Sequence, residues 1–252
     1  MKNLTAILYD GGIKSTFAAY TNIIQNKEKS RFLFTYITNK KNDKKEVAIL
    51  KQAAWLSENS DVEILCHTIR SPLESLTSQL FIRLLKDHLD EELERYYKFN
   101  DKQKLIKVIA PSDNIGGMCF NIKNATKFLP VQYTDKDRGQ LLSYLLSVAP
   151  MDFIKTIIEC DNLEGEQHYH PCGYCGRCGK MQSTIISLYR YYMKNGAIWQ
   201  AEPLKELTAY WYPKLTLRYD VKEEKNRVRN GMNLLAFAHT FSAINGFNFG
   251  NF

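Results

Sequence analysis

The 252-residue chain has no run of about 18 apolar residues, so nothing in it is expected to span a membrane. Its opening, MKNLTAILYD, has too short an apolar stretch and the wrong flanks for a secretory leader, which points to a cytoplasmic protein. There is no internal repeat and no low-complexity linker. Two phosphate-binding signatures are missing: neither G-x-x-x-x-G-K-[ST] nor G-x-G-x-x-G occurs. An excess of one charge is slight, 34 Lys and Arg against 27 Asp and Glu, a net +7. A surplus of that size suits solubility and is compatible with acidic partners such as nucleotides or nucleic acid, without pointing to them. Cysteine is scarce too. Of six, Cys66 and Cys119 stand alone in apolar surroundings, as buried small hydrophobes do.

What remains is ordinary globular material, 44% apolar and 24% charged, in a chain long enough to bury a sizeable core. Residues 4–9 form an apolar run without polar alternation, the pattern of a strand buried on both faces of a parallel sheet. A helix starts at Phe17-Ala18-Ala19-Tyr20. Further strands are expected over 31–38, 62–69 and 104–110. A helix over 46–56, carried by Val47, Leu50, Ala53 and Ala54, and another over 75–97 separate them. This alternation predicts an α/β fold with a parallel sheet. Two short helices, 137–146 and 151–158, precede the cysteine-rich segment, and a helix over 180–194 follows it.

Between the first strand and its helix lies Asp10-Gly11-Gly12-Ile13-Lys14-Ser15-Thr16. A glycine pair there lets backbone N–H groups at a helix start face an anion, with no side chain in the way. Ser15 and Thr16 add hydroxyls and Lys14 a positive charge. A tight strand-to-helix turn would need the same glycines, so both readings stand.

Four cysteines cluster in sequence. Cys172, Cys175 and Cys178 are each separated by two residues, and Cys160 lies upstream within a loop's return. Four thiolates about 2.3 Å from one ion make a closed tetrahedral zinc site, structural because no position stays open for water. The alternatives are a four-cysteine iron–sulfur cluster and a redox pair at Cys172 and Cys175, which leaves two thiols unexplained. His168 and His170 lie nearby and are expected as exposed loop residues. The zinc site should tie the 151–158 helix to the 180–194 helix.

The Gly-Gly loop after a buried strand, the Rossmann-like alternation and the late C…C-G-x-C-x-x-C knuckle together resemble 7-cyano-7-deazaguanine synthase, of the PP-loop ATP pyrophosphatase superfamily. The likeness runs from about residue 4 to residue 192. It is most specific at Cys160, Cys172, Cys175 and Cys178 and at the lead-in Ala149-Pro150-Met151-Asp152-Phe153-Ile154. The resemblance implies a Rossmann-like sheet of the adenine nucleotide alpha hydrolase type, with structural Zn2+, ATP and Mg2+ as cofactors. It implies that a 7-deazaguanine carboxylate is adenylated, with pyrophosphate released, then amidated and dehydrated to a nitrile. Asp10 to Thr16 would hold ATP, with Lys14 and Ser15 nearest the chemistry, and Lys136 or Arg138 could add charge.

Departures fall on the loop. The family's Ser-Gly-Gly-x-Asp-Ser is here Asp10-Gly11-Gly12-Ile13-Lys14-Ser15, which puts a carboxylate where polyphosphate would lie and reverses the sign at position 14. Either Asp10 points away, paired with Lys14, or the loop does not hold ATP in the family manner. Asn39-Lys40-Lys41 replaces the Gln-Arg-His after the second strand, and the resemblance would place Asp113 and Asn114 near the nucleobase. These changes leave a second reading open, an inactive scaffold of the same fold that binds nucleotide, nucleic acid or protein.

The domain division expected is 1–195, the α/β domain with its knuckle, and 196–252, an aromatic-rich helical extension. Trp199, Tyr210-Trp211-Tyr212, Leu215 and Tyr219 begin the extension. A basic stretch over 222–229, an apolar helix from Met232 and the aromatic end from Phe247 follow. This extension is expected to pack on its own domain, on a second copy in a homodimer, or on a protein partner.

Overall fold

Strand β1 (Asn3–Leu8) is buried on both faces from Leu4 onward because it lies in the middle of a parallel sheet. Strand β2 (Ser30–Thr38) pairs on one side of it, with Ala6 opposite Leu33, and β4 (Ile106–Ala110) on the other. Outside these lie β3 (Ile64–Arg70) and β5 (Lys127–Pro130), giving the order β3-β2-β1-β4-β5 with every pairing parallel. The short β5, KFLP, ends in proline and carries too weak a pattern to be seen in the sequence. The structure, a computed structural model, describes residues 3–25, 30–38, 43–70, 87, 91, 106–110, 127–130, 138–165 and 170–217. The expected helix over 75–97 lies outside the described residues apart from two positions. Cys119, Asp113 and Asn114, Asn39-Lys40-Lys41, Lys136, His168 and the chain beyond residue 217 lie outside them altogether.

Two helices accompany β1 to β3. Helix α1 (Ile13–Tyr20) starts one turn earlier than its sequence suggested and relaxes into a π turn over Thr21–Gln25. Helix α2 (Lys44–Glu58) is capped by Asp43, whose side chain accepts from the Lys45 N–H. The face of α2 turned to the core carries Lys45, Ala48, Ile49, Gln52, Ala53 and Leu56. The expected stripe was out of phase, since Val47 and Leu50 are 40% and 54% exposed. Polar Lys45 and Gln52 occupy core-facing positions, so the apolar residues alone misreport the buried side.

Two compact units divide the chain, Met1–Thr134 and Asp135–Phe252. The second contains α3 (Arg138–Val148), α4 (Met151–Ile154), α5 (Gly176–Lys194) and α6 (Ile198–Trp211), with a short antiparallel pair, β6 (Leu163–Glu164) and β7 (His170–Pro171). Leu142, Phe153, Ile185, Leu188, Leu204 and Leu207 fill its core. The division expected from sequence at 195/196 falls inside this unit, between α5 and α6, which pack on each other. Helix α4 is half the expected length. The Thr156 hydroxyl bonds back to the Phe153 carbonyl (2.6 Å), and the chain then runs irregularly through Ile157 and Ile158 to Cys160. No helix among the described residues is long and apolar enough to cross a membrane.

Candidate functional site

The strand order reverses at β1: the chain leaves it toward β2 and β3, then returns to place β4 on its other side. In open parallel sheets a crevice forms outside the carboxyl ends of the strands at such a point, and ligands bind there. The loop from Asp10 to Thr16 stands at the carboxyl end of β1. Tyr9 prolongs the ladder through its N–H to the Thr35 carbonyl (2.8 Å) and stacks on Phe34 with ring centres 4.1 Å apart. Gly11 then turns the chain at φ 73°, a conformation that disfavours any side chain. Gly12 is the extended N-cap of α1.

Most of the loop's polar groups are turned on the loop itself. Oδ1 of Asp10 accepts the Gly12 N–H (3.0 Å) and the Ser15 hydroxyl (2.7 Å). Asp10 therefore folds back as an internal anion on donors that a phosphate would use. Thr16, fully buried, sends its hydroxyl to the Gly11 carbonyl (3.2 Å), and Ser15 is almost as deeply buried. Ile13 is buried and Lys14 half-buried at the start of α1.

One residue of this site was not expected. Gln52, buried on α2, accepts the Tyr9 phenol O–H (2.6 Å) and donates to the Gly11 carbonyl (3.3 Å). It fastens the end of β1 to the glycine turn, and burial pushes the Tyr9 phenol far above its ordinary value. A glutamine set among Ile49, Ala53 and Leu56 on the core face is the signal that could have found it. At the carboxyl end of β2, Asp43 accepts the Tyr36 and Thr38 hydroxyls at 2.6 and 2.7 Å. Burial alone would raise its carboxyl, but these bonds and the Lys45 N–H outweigh it and hold the pKa below the ordinary value.

In the second unit the four expected cysteines converge. Cys160 arrives from the segment after α4, Cys172 follows β7, Cys175 is the N-cap of α5, and Cys178 lies in its first turn. Their sulfurs all lie within 4.8 Å of one another, with Cys160–Cys172 at 3.6 Å, Cys172–Cys178 at 3.9 Å and Cys175–Cys160 at 3.9 Å. These separations are too long for disulfides, and the cysteines are free. Four ligands about 2.3 Å from one ion at tetrahedral angles would be about 3.8 Å apart. The cluster thus fits a single metal ion such as zinc, whereas an iron–sulfur core needs room for several atoms between its thiolates.

The surrounding backbone suits thiolates. Asn162 and Cys172 N–H groups point to Cys160 Sγ at 3.2 and 3.3 Å, and Asp161 and Cys178 N–H groups to Cys175 Sγ at 3.5 Å each. Burial raises the Cys175 thiol, but the N–H groups and neighbouring thiols prevail and bring it to about 6. Its place at the positive end of a 19-residue helix acts in the same direction. Gly173 (φ 81°) makes the turn between Cys172 and Cys175, and Gln182 fixes it by donating to the Gly173 carbonyl (2.8 Å).

His170 is exposed and meets the Tyr210 ring edge-on at 5.7 Å, a contact that joins β7 to α6, and it is not among the four clustered ligands. Arg138 pairs with the buried Glu159 at 3.4 Å. Tyr212, missed as a site residue, is buried beside Cys178, and burial and that thiol both push its phenol up. Cys66 is half-buried and burial pushes its thiol up to about 11, as suits an inert side chain. No family model matches the chain, and no curated protein matches it.

Proposed function

We propose that the chain uses ATP to activate a carboxylate on a 7-deazaguanine or related acid, in the manner of 7-cyano-7-deazaguanine synthases. The observation that carries this reading is the place of the Asp10–Thr16 loop: a glycine turn opening onto α1 at the carboxyl end of the central strand, where the order reverses. In this reading Gly11 and Gly12 let the phosphates approach, and Lys14 offsets phosphate charge beside Ser15. Magnesium bound with ATP neutralises the rest. The carboxylate attacks the α-phosphate, pyrophosphate leaves, and ammonia displaces AMP to give an amide, whose further activation and dehydration gives the nitrile. The four cysteines hold zinc, which ties the segment after α4 to the start of α5 and takes no part in the chemistry.

One observation favours the second reading, a scaffold of the same fold without turnover. Asp10 already accepts the Gly12 N–H and the Ser15 hydroxyl, so a phosphate must displace a carboxylate to bind. Incubating the protein with ATP, magnesium, ammonium and 7-carboxy-7-deazaguanine separates the two. Stoichiometric AMP and pyrophosphate are expected of the enzyme. Bound ATP without either product would leave the scaffold.

A further inference from the structure

Tyr212 ends α6 and is 4% exposed, and its hydroxyl has no hydrogen-bond partner among the described residues. Leaving a buried hydroxyl unsatisfied costs free energy, so its surroundings matter. The sulfur of Cys178 lies beside it, with Cys160 and Glu159 also close by. A thiol accepts weakly, whereas a thiolate takes an O–H bond well. The neighbouring chain is fastened independently of this hydroxyl. Trp211 Nε1 donates to the Lys155 carbonyl (3.2 Å), the Tyr212 N–H to Thr208 (2.8 Å), and Lys155 Nζ pairs with Glu206 (2.7 Å). These bonds hold α6 against the segment that delivers Cys160, and so hold the phenol at the cluster.

We propose that Tyr212 is a positioning residue of the metal centre: its hydroxyl donates to the Cys178 thiolate once an ion is bound, joining the end of α6 to the cluster. The proposal rests on the reading of the four cysteines as a metal site. It gives the helix after residue 196 a part in that site, which the four ligands alone do not suggest. Groups that hydrogen-bond to metal ligands tune affinity and ligand electronics, often by 10-fold or more.

The test uses the full chain with zinc, and then with cobalt(II) in its place, whose thiolate charge-transfer band reports on the sulfurs. Tyr212→Phe is expected to bind one ion per chain, with the band moved to longer wavelength and zinc held roughly 10-fold more weakly. Tyr210→Phe removes an exposed hydroxyl from the same turn without touching sulfur, and should leave the band in place. If Tyr212→Phe does not fold, 3-fluorotyrosine incorporated at position 212, a stronger donor of nearly the same size, should move the band to shorter wavelength. An unmoved band and unchanged zinc affinity in a folded Tyr212→Phe, or an unmoved band with fluorotyrosine, would overturn the proposal and leave the metal site standing. A native chain that takes up neither ion would overturn both.

Discussion

Asp10 sets the electrostatics of the glycine loop. A phosphate charge about 4 Å from its carboxylate would meet roughly 4 kcal/mol of repulsion at an effective dielectric of about 20. Asp10→Ser keeps a hydrogen-bonding side chain and removes the charge, so it should tighten binding of magnesium–ATP at least about 10-fold by calorimetry. Weaker binding would show that the carboxylate has acquired a positive role, such as holding a cation with the nucleotide. Gln52 lies behind the same turn. Gln52→Leu leaves the buried Tyr9 hydroxyl only the longer contact to Thr16 (3.4 Å) and removes a bond to the Gly11 carbonyl, and should cost about 1–3 kcal/mol in chemical denaturation. An unchanged midpoint and slope would remove Gln52 from the account of the loop. Asp43 supplies the pH dependence. Its folded pKa lies below its unfolded value, so its contribution is complete above the ordinary carboxylate range and fades as pH falls through the folded value. Asp43→Asn, which can still cap α2, should lower stability at pH 7 and narrow the difference from the native chain as pH falls toward 3. A parallel loss at both pH values would contradict the assignment.

At the scale of elements the knuckle was the most legible feature. Its ligands are fixed by short spacings in a Gly-rich turn, information local to the sequence, and the four sulfurs meet as expected. Cys175→Ser should abolish metal binding by elemental analysis and lower the melting temperature by several degrees, because metal binding and folding are coupled. Unchanged metal content and melting would argue against a metal site. Where information is not local, the sequence misled. The core face of α2 was misread because Gln52 and Lys45 sit where apolar residues were sought. Gln52 bonds across 43 residues to Tyr9, and Tyr212 lies beside a cysteine 34 positions before it; neither neighbour can be read from the nearby sequence. The loop was found readily as Gly-Gly after an apolar strand. The inward turn of Asp10 depends on where Ser15 and the Gly12 N–H come to lie, which only the folded turn decides.

At the scale of the molecule, the alternation of apolar runs and helices gave away the parallel α/β sheet, since strands buried on both faces have little freedom to look otherwise. The five-strand order, and with it the reversal at β1, came only with the structure. The division into units at Thr134 and Asp135 also differs from the one the sequence suggests, because α5 and α6 share a core whose contacts cross the proposed boundary. The functional reading joins the reversal point to the loop that occupies it, and its central claim is that this loop receives the phosphates of ATP. Calorimetric titration of the zinc-loaded full chain with magnesium–ATP tests it most directly. The expected result is saturable binding near one nucleotide per chain, strengthened by Asp10→Ser; no heat of binding from either the native chain or Asp10→Ser would contradict it.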